Sequence, residues 1–379
     1  MIEIDPNTED LFSVLWDVEL LKNDFSKCSL LEEIIRLADL RKNKELGFEA
    51  RLVLVEAGIF SGAIDKALVS FSWCLSQVDQ NPEQFNEDEE DLMWKYKWII
   101  ENLPVFPQIK KEQILEMLED LEKRYEKNGG NKYPVLMLKR SISMMMGNIE
   151  ESQKYHELLK QTTTKGRLAD CAACIQDSEV FYAVHILGQD ELALEKAQPI
   201  LSGKLRCAEV PHLTYGTLLL PLLRLNQPEE AARLHKMGYK LVSNSTALIG
   251  TISNHLLFLG ITGEIAKAIQ LLEKHFTSAF GAPDLNHRFE FYRAVKFLME
   301  RILLSNLKSI KIRMPKTFPN YKEDGNYAVI DLDSWFDKEA SKLASQFDSR
   351  NGNDSYMKNL GELKALHELA QKHSQQNNQ

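Results

Sequence analysis

The residues best equipped for chemistry are cysteines. Three of the five lie in two short stretches, "DCAACIQDSEV" with Cys171 and Cys174, and "CAEVPH" with Cys207 and His212. A Cys-x-x-Cys pair is a usual half-site for a tetrahedral metal, and zinc accepts three thiolates and one imidazole. The same pair can also serve as a dithiol redox motif when a helix N-terminus lowers a thiol's pKa. A single Cys-x-x-Cys is half of a strong signature, however, and the gap to Cys207 matches no standard zinc finger. Ordinary packed thiols are therefore the leading reading. A structural zinc clip through Cys171, Cys174, Cys207 and His212, with His185 and Asp170 as substitutes for the imidazole, is the alternative, and redox chemistry comes third.

Whether these groups can meet depends on the elements that carry them. A unit recurs along the chain, in which a Gly or Asn turn is followed five residues later by a small residue in an amphipathic stretch. It appears as Gly62 with Ala67, Gly147 with Ser152, Gly188 with Ala193, Asn226 with Ala231, and Gly263 with Ala268. The last four recur at intervals of about forty residues, which is the signature of a repeat array. The long gap after the first leaves room for one degenerate copy, around "PQIKKEQILEMLEDLEKRY". Apolar residues on either side keep helical spacing, as in Val180, Phe181, Val184 and Leu187, or Ile265, Ala268, Ile269, Leu272 and Phe276. Glycine suits the turn because a left-handed residue ends a helix without a Cβ clash. Neither helix of such a pair can bury its apolar stripe alone, so neighbouring pairs must stack.

On these turns the chain resembles the tetratricopeptide repeat (TPR) superfamily over roughly residues 40 to 280. The family's Trp, second Gly and closing Pro do not recur, and the interval here is longer. The resemblance implies a mainly α fold, a right-handed α-solenoid of stacked antiparallel helix pairs. It also implies a protein or peptide ligand in the concave groove. A related role is that of the peptide-responsive TPR-type regulators of Gram-positive bacteria, acting on another protein.

The array is expected over 1–300, a C-terminal capping module over 301–369 and a flexible tail over 370–379. In the module, "SIKIRMP" alternates as a strand and can pair with "GNYAVIDL" across "EDG" as a β-hairpin. Asp333 is placed to cap a helix that stops at Gly352, and "YMKNLGELKALHELAQKH" reads as one last helix. The acidic run from Glu87 to Asp91 reads as the first turn of a helix, where the dipole favours carboxylates.

Composition narrows the function classes. The net charge of −9 argues against a nucleic-acid binder, which needs a basic face. The first residues, "MIEIDPNTED", lack a secretory signal's basic and apolar regions, and no stretch is long enough to span a bilayer. Five scattered cysteines do not make a disulfide framework, so a reduced, cytoplasmic protein is expected, with no membrane partner.

Enzyme signatures fail in turn. "HELAQKH" separates its histidines by six residues rather than four, and no phosphate-binding or nucleophile-elbow motif occurs. Zinc nucleoside deaminases pair a Cys-x-Glu element with Pro-Cys-x-x-Cys. Cys207 and Glu209 are similar to the first, but the order is reversed and Asp170 stands where that family has Pro. The expectation is a non-catalytic scaffold with an acidic groove for a basic or amphipathic ligand. A zinc enzyme built on Cys171, Cys174 and Cys207 is the lesser alternative.

Overall fold

The computed structural model describes residues 4–5, 10–84, 89–162, 166 and 168–376. It is mainly α, with helices packed in adjacent pairs and one small two-stranded sheet. The first helices are α1 (Leu11–Glu19), α2 (Phe25–Leu40), α3 (Lys44–Ser61) and α4 (Ile64–Gln80). Next come α5 (Glu89–Asn102), a 3-10 turn (Leu103–Val105), α6 (Lys111–Lys127), α7 (Tyr133–Met145) and α8 (Ile149–Lys160). The array continues through α9 (Ala172–His185), α10 (Asp190–Leu201), α11 (His212–Arg224), α12 (Pro228–Val242), α13 (Ile249–Thr262), α14 (Ile265–Gly281) and α15 (Leu285–Leu304). Strands β1 (Ser309–Lys311) and β2 (Asn326–Ala328) precede α16 (Val329–Asn351), α17 (Ser355–Gly361) and α18 (Leu363–Gln376).

The repeating turn does what its residue types require. Gly62, Gly147, Gly188 and Gly263 all have positive φ, and Asn226 takes the same left-handed conformation. The small residues five positions later, Ala67, Ser152, Ala193, Ala231 and Ala268, are all fully buried. The pairs α3/α4, α7/α8, α9/α10, α11/α12 and α13/α14 follow directly. The degenerate copy is α5 and α6, where a proline-containing 3-10 turn replaces the glycine. The helical part of the acidic run begins at Glu89, and Glu87 and Asp88 lie outside the described residues.

From α9 onward, α9, α11, α13 and α15 pack directly on one another. Helices α10, α12 and α14 instead pack on their own partners and on the next helix of the first set. Closer spacing of the first set makes its free side the concave face. Helix α18 lies on that face against α13 and α11. Its Leu363, Leu366 and Ala370 are buried, and His367 Nε2 bonds Glu300 Oε2 of α15 at 2.8 Å.

The C-terminal module differs from expectation in three places. The hairpin forms, antiparallel with Ile310 opposite Tyr327, but each strand is only three residues long. Helix α16 begins at Val329, so Asp333 lies inside it rather than capping it, while Gly352 ends it with φ 73°. The last helix is two, α17 and α18, and the Asp348 carboxylate of α16 accepts from Tyr356 N and Met357 N at the start of α17. The segment from 370 is helical as far as Gln376, since Ala370 packs against the core.

The array curls until early and late elements meet. Arg350 of α16 donates to the carbonyls of Pro104, Phe106 and Ile109 at 2.8, 3.3 and 3.4 Å. Asn353 Nδ2 donates to Met146 O at 2.7 Å, and Thr246 Oγ1 to Ser61 O at 2.7 Å. The Arg350 and Asn353 bonds tie the first half of the chain to the C-terminal module, and the Thr246 bond ties α3 to the α12–α13 loop.

Candidate metal centre

Cys171 is the N-cap of α9, in extended backbone at φ −63° and ψ 155°. Its Sγ accepts from the Cys174 backbone N–H at 3.5 Å, so the thiol sits where α9 presents unpaired amides. Cys174 follows one turn later. Cys207 reaches the same place from the loop between α10 and α11, held by a tight turn in which Cys207 N donates to Val210 O at 3.1 Å. Beneath it Ala173, Ile200 and Val210 form a small apolar cluster against which Leu205 and Cys207 pack.

Three thiols thus converge, with Cys174 in the middle. Its Sγ lies 3.4 Å from that of Cys171 and 3.3 Å from that of Cys207, and all three fall within 4.8 Å of one another. Cys171 is exposed and the other two are half-buried. Among the described residues they form the only such group of three or more His, Cys, Asp or Glu donors. Cys28 and Cys74 are elsewhere and buried, near Ser61 and Phe48.

Burial works to raise the Cys171 thiol, but hydrogen bonds from the Cys174 and Ala173 backbone and from the neighbouring thiols outweigh it, and its pKa falls. Cys174 moves the other way, driven up by burial and by the two sulfurs beside it. One exposed, readily ionised thiol next to one that resists ionisation is a group that a cation would organise, because a metal favours every ligand in its deprotonated form.

His212 is not among the converging donors. It opens α11, half-buried, with Pro211 as the N-cap before it rather than at the first helical position. Burial alone lowers its pKa. Asp170 is engaged elsewhere, ion-paired with Lys97 of α5, whose ammonium also donates to Leu168 O at 3.1 Å. His185 lies at the other end of α9, away from the thiols.

Two positioning groups gave no signal in the sequence. Lys97 sits in "MWKYKW" among aromatics, yet its buried side chain ties α5 to the residue before Cys171. Arg140 of α7, 1% exposed, reaches His156 Nδ1 of α8 at 2.9 Å and Glu179 Oε1 of α9 at 2.5 Å, and also bonds Ser178. It fixes the rotation of α9, and with it the direction of Cys174. Asp177, one turn beyond Cys174, accepts from Thr214 of α11, and burial raises its carboxyl to about 6.

The donor set fits a metal held by three protein thiolates, and the Cys171/Cys174/Cys207 group could hold such an ion. Soft sulfur ligands select zinc, copper(I) or iron. With zinc–sulfur bonds near 2.3 Å, tetrahedral thiolates stand about 3.8 Å apart, so Cys174 Sγ needs to part from each neighbour by only about half an ångström. Among the described residues no fourth His, Cys, Asp or Glu joins the three thiols.

The fold and centre together define a mainly α protein of paired helices with a tri-cysteine group at the N-terminal end of α9. No protein-family model matches the chain, and a search of curated proteins finds no relative. No described helix is long and apolar enough to cross a membrane.

Proposed function

We propose that the protein is a non-catalytic scaffold that holds a protein or peptide segment on its concave face, with a structural zinc ion on Cys171, Cys174 and Cys207. The observation that carries this reading is α18. This amphipathic helix of the chain itself already lies on α11 and α13, which supports a face suited to an amphipathic segment. Phe181 of α9, the helix next to α11 in the same layer, is exposed. A zinc ion would fix α9 to the loop before α11 and so set the angle between two pairs. Three thiolates, one at a helix N-cap, supply the charge such an ion needs.

The test is site-specific photocrosslinking in host lysate, with the crosslinker at Phe181 on α9 or at exposed Leu241 on α12. One species captured from Phe181 alone is expected. Capture of the same species from both positions would sink the reading. Metal analysis of purified protein should find one zinc per chain, falling below a tenth in Cys174→Ser.

A zinc-dependent enzyme is the second reading, favoured by the open fourth position, since catalytic zinc sites keep one for water or substrate. In that case Cys171, Cys174 and Cys207 would hold the ion, which would activate a bound water. Turnover lost in Cys207→Ser with the fold intact would place this reading first.

A further inference from the structure

We infer that the outer face of α1 is a second docking surface, separate from the concave face, and that its partner is an amphipathic helix with basic flanks. Helix α1 is apolar on two sides. Leu11, Leu15 and Val18 are buried against α2 and α3. Phe12, Trp16 and Leu20, spaced by four, run down the opposite side and are 39%, 69% and 76% exposed. Leu21 and Phe25 extend the stripe into the turn and the start of α2, at 38% and 45% exposed. Together the five present roughly 500 Å² of apolar surface, near the top of the range for the largest patch on a monomer.

The stripe is rigid. Lys27 is buried, and its ammonium donates to Glu19 O at 2.8 Å, Leu21 O at 3.2 Å and Asn23 Oδ1 at 2.8 Å, which orders the α1–α2 turn. Asp10 and Asp24 cap the two helices by accepting from Ser13 N and Lys27 N. A preformed face loses little conformational entropy on binding.

Charge selects the occupant. Asp10, Asp17, Glu19 and Asp24 are exposed around the stripe, and Lys22 is the one exposed base beside them. Lys27 turns its charge inward. A second copy would set carboxylates against carboxylates, and an anionic lipid surface would be repelled. A helix with leucine or phenylalanine at i, i+3, i+4 and i+7, flanked by Lys or Arg, matches both the apolar stripe and its rim.

The probe is a labelled sixteen-residue peptide with leucines at that spacing and lysines elsewhere, compared with its glutamate counterpart by fluorescence anisotropy on the full chain. The lysine peptide should bind at least ten times more tightly than the glutamate one. The double variant Trp16→Ala/Leu20→Ala should lose at least tenfold for the lysine peptide. Because the lost side chains are exposed, the fold should survive, which circular dichroism checks. Val69→Ala/Leu241→Ala, which removes exposed apolar groups elsewhere, should change nothing, and Asp17→Asn/Glu19→Gln should weaken binding severalfold and flatten its salt dependence. Equal affinity for both peptides, or no loss in the Trp16/Leu20 variant, overturns the proposal. So does a concentration-dependent dimer abolished by that variant, or binding to anionic vesicles through it. Failure here would leave the concave-face reading intact, since the crosslinking at Phe181 reads a different surface.

Discussion

At the C-terminal end of the array, α15 is covered by α16, and α18 lies back over α13 and α11. Phe336, Phe347 and Ala344 of α16 are completely buried there, and Trp335 sits among Phe276, Phe318 and Tyr292. At the N-terminal end, α1 covers α2 and α3 but turns Phe12, Trp16 and Leu20 to solvent. Both ends face the same physical problem, since the last helix of a stack has no neighbour for one side. The C-terminal end meets it within the chain. Among the described residues the apolar stripe of α1 stays exposed, and that difference separates a covered end from an exposed one.

The difference is most directly broken at Arg350, which joins the C-terminal cap to the first half. Arg350→Ala removes the donor to the Pro104 and Ile109 carbonyls, while Phe106 O keeps the Ile109 N–H, and should cost about 2 kcal/mol, read by urea denaturation. If the cap is independent of the N-terminal pairs, the loss will stay within about 0.5 kcal/mol.

Acid should strain the C-terminal half more than the N-terminal one. Three imidazoles lie between α12, α13 and α14, with His235 Nδ1 3.0 Å from His255 Nδ1 and Tyr239 OH 3.1 Å from His275 Nε2. Burial, followed by the charges of His235 and His275, takes His255 down to about 3. Burial, with Lys267 and Lys274 respectively next, takes His235 and His275 down to about 4. Folded pKa values below the unfolded 6.5 mean that the unfolded chain binds protons first as the pH falls. The stability these groups contribute is therefore complete above pH 6.5 and lost progressively toward their folded values. Between pH 6.5 and 5, fully buried His255 alone should account for about 2 kcal/mol. His255→Leu should flatten that part of the pH–stability curve, and an unchanged slope would count against the assignment.

Two glycines with the same backbone conformation sharpen the contrast further. Gly147 has φ 72° and a Cβ there would overlap the Ser355 side chain of the cap, whereas Gly263 at φ 80° has open space around it. Gly263→Ala should cost about 1 kcal/mol from backbone strain alone. Gly147→Ala should cost about 2 kcal/mol, because the cap must also shift. Equal losses would mean the cap yields freely at that point.

The smallest effect belongs to the open end. Trp16→Ala should change stability by less than about 0.5 kcal/mol, despite removing the largest side chain of α1. A substantial loss would mean that the stripe is covered in the folded chain after all.

Much of this was readable in the sequence. The left-handed turns at Gly62, Gly147, Gly188, Asn226 and Gly263 followed from residue type, because few other residues accept that backbone without strain. The small residues five positions on followed from the close helix approach. The hairpin was visible in the alternation of Ile310, Ile312 and Met314, whereas its register, Ile310 opposite Tyr327, was not. Convergence of Cys171, Cys174 and Cys207 was legible as an option, since adjacent pairs place equivalent helix ends side by side. The expectation that His212 joins that group did not follow, because the turn from Cys207 to Val210 sets where α11 begins.

By itself, then, the sequence determined what is local. Turn glycines, helix periodicity and the strand alternation depend on residues a few positions apart, whose steric and burial preferences act whatever the rest of the chain does. Tertiary structure decided what is distant: Lys97 holding Asp170, Arg350 reaching three carbonyls across the molecule, α18 lying on the concave face, and Trp16 remaining uncovered. Such contacts join side chains widely separated in sequence, and their partners are set by how the whole array curls, which no single stretch of residues encodes.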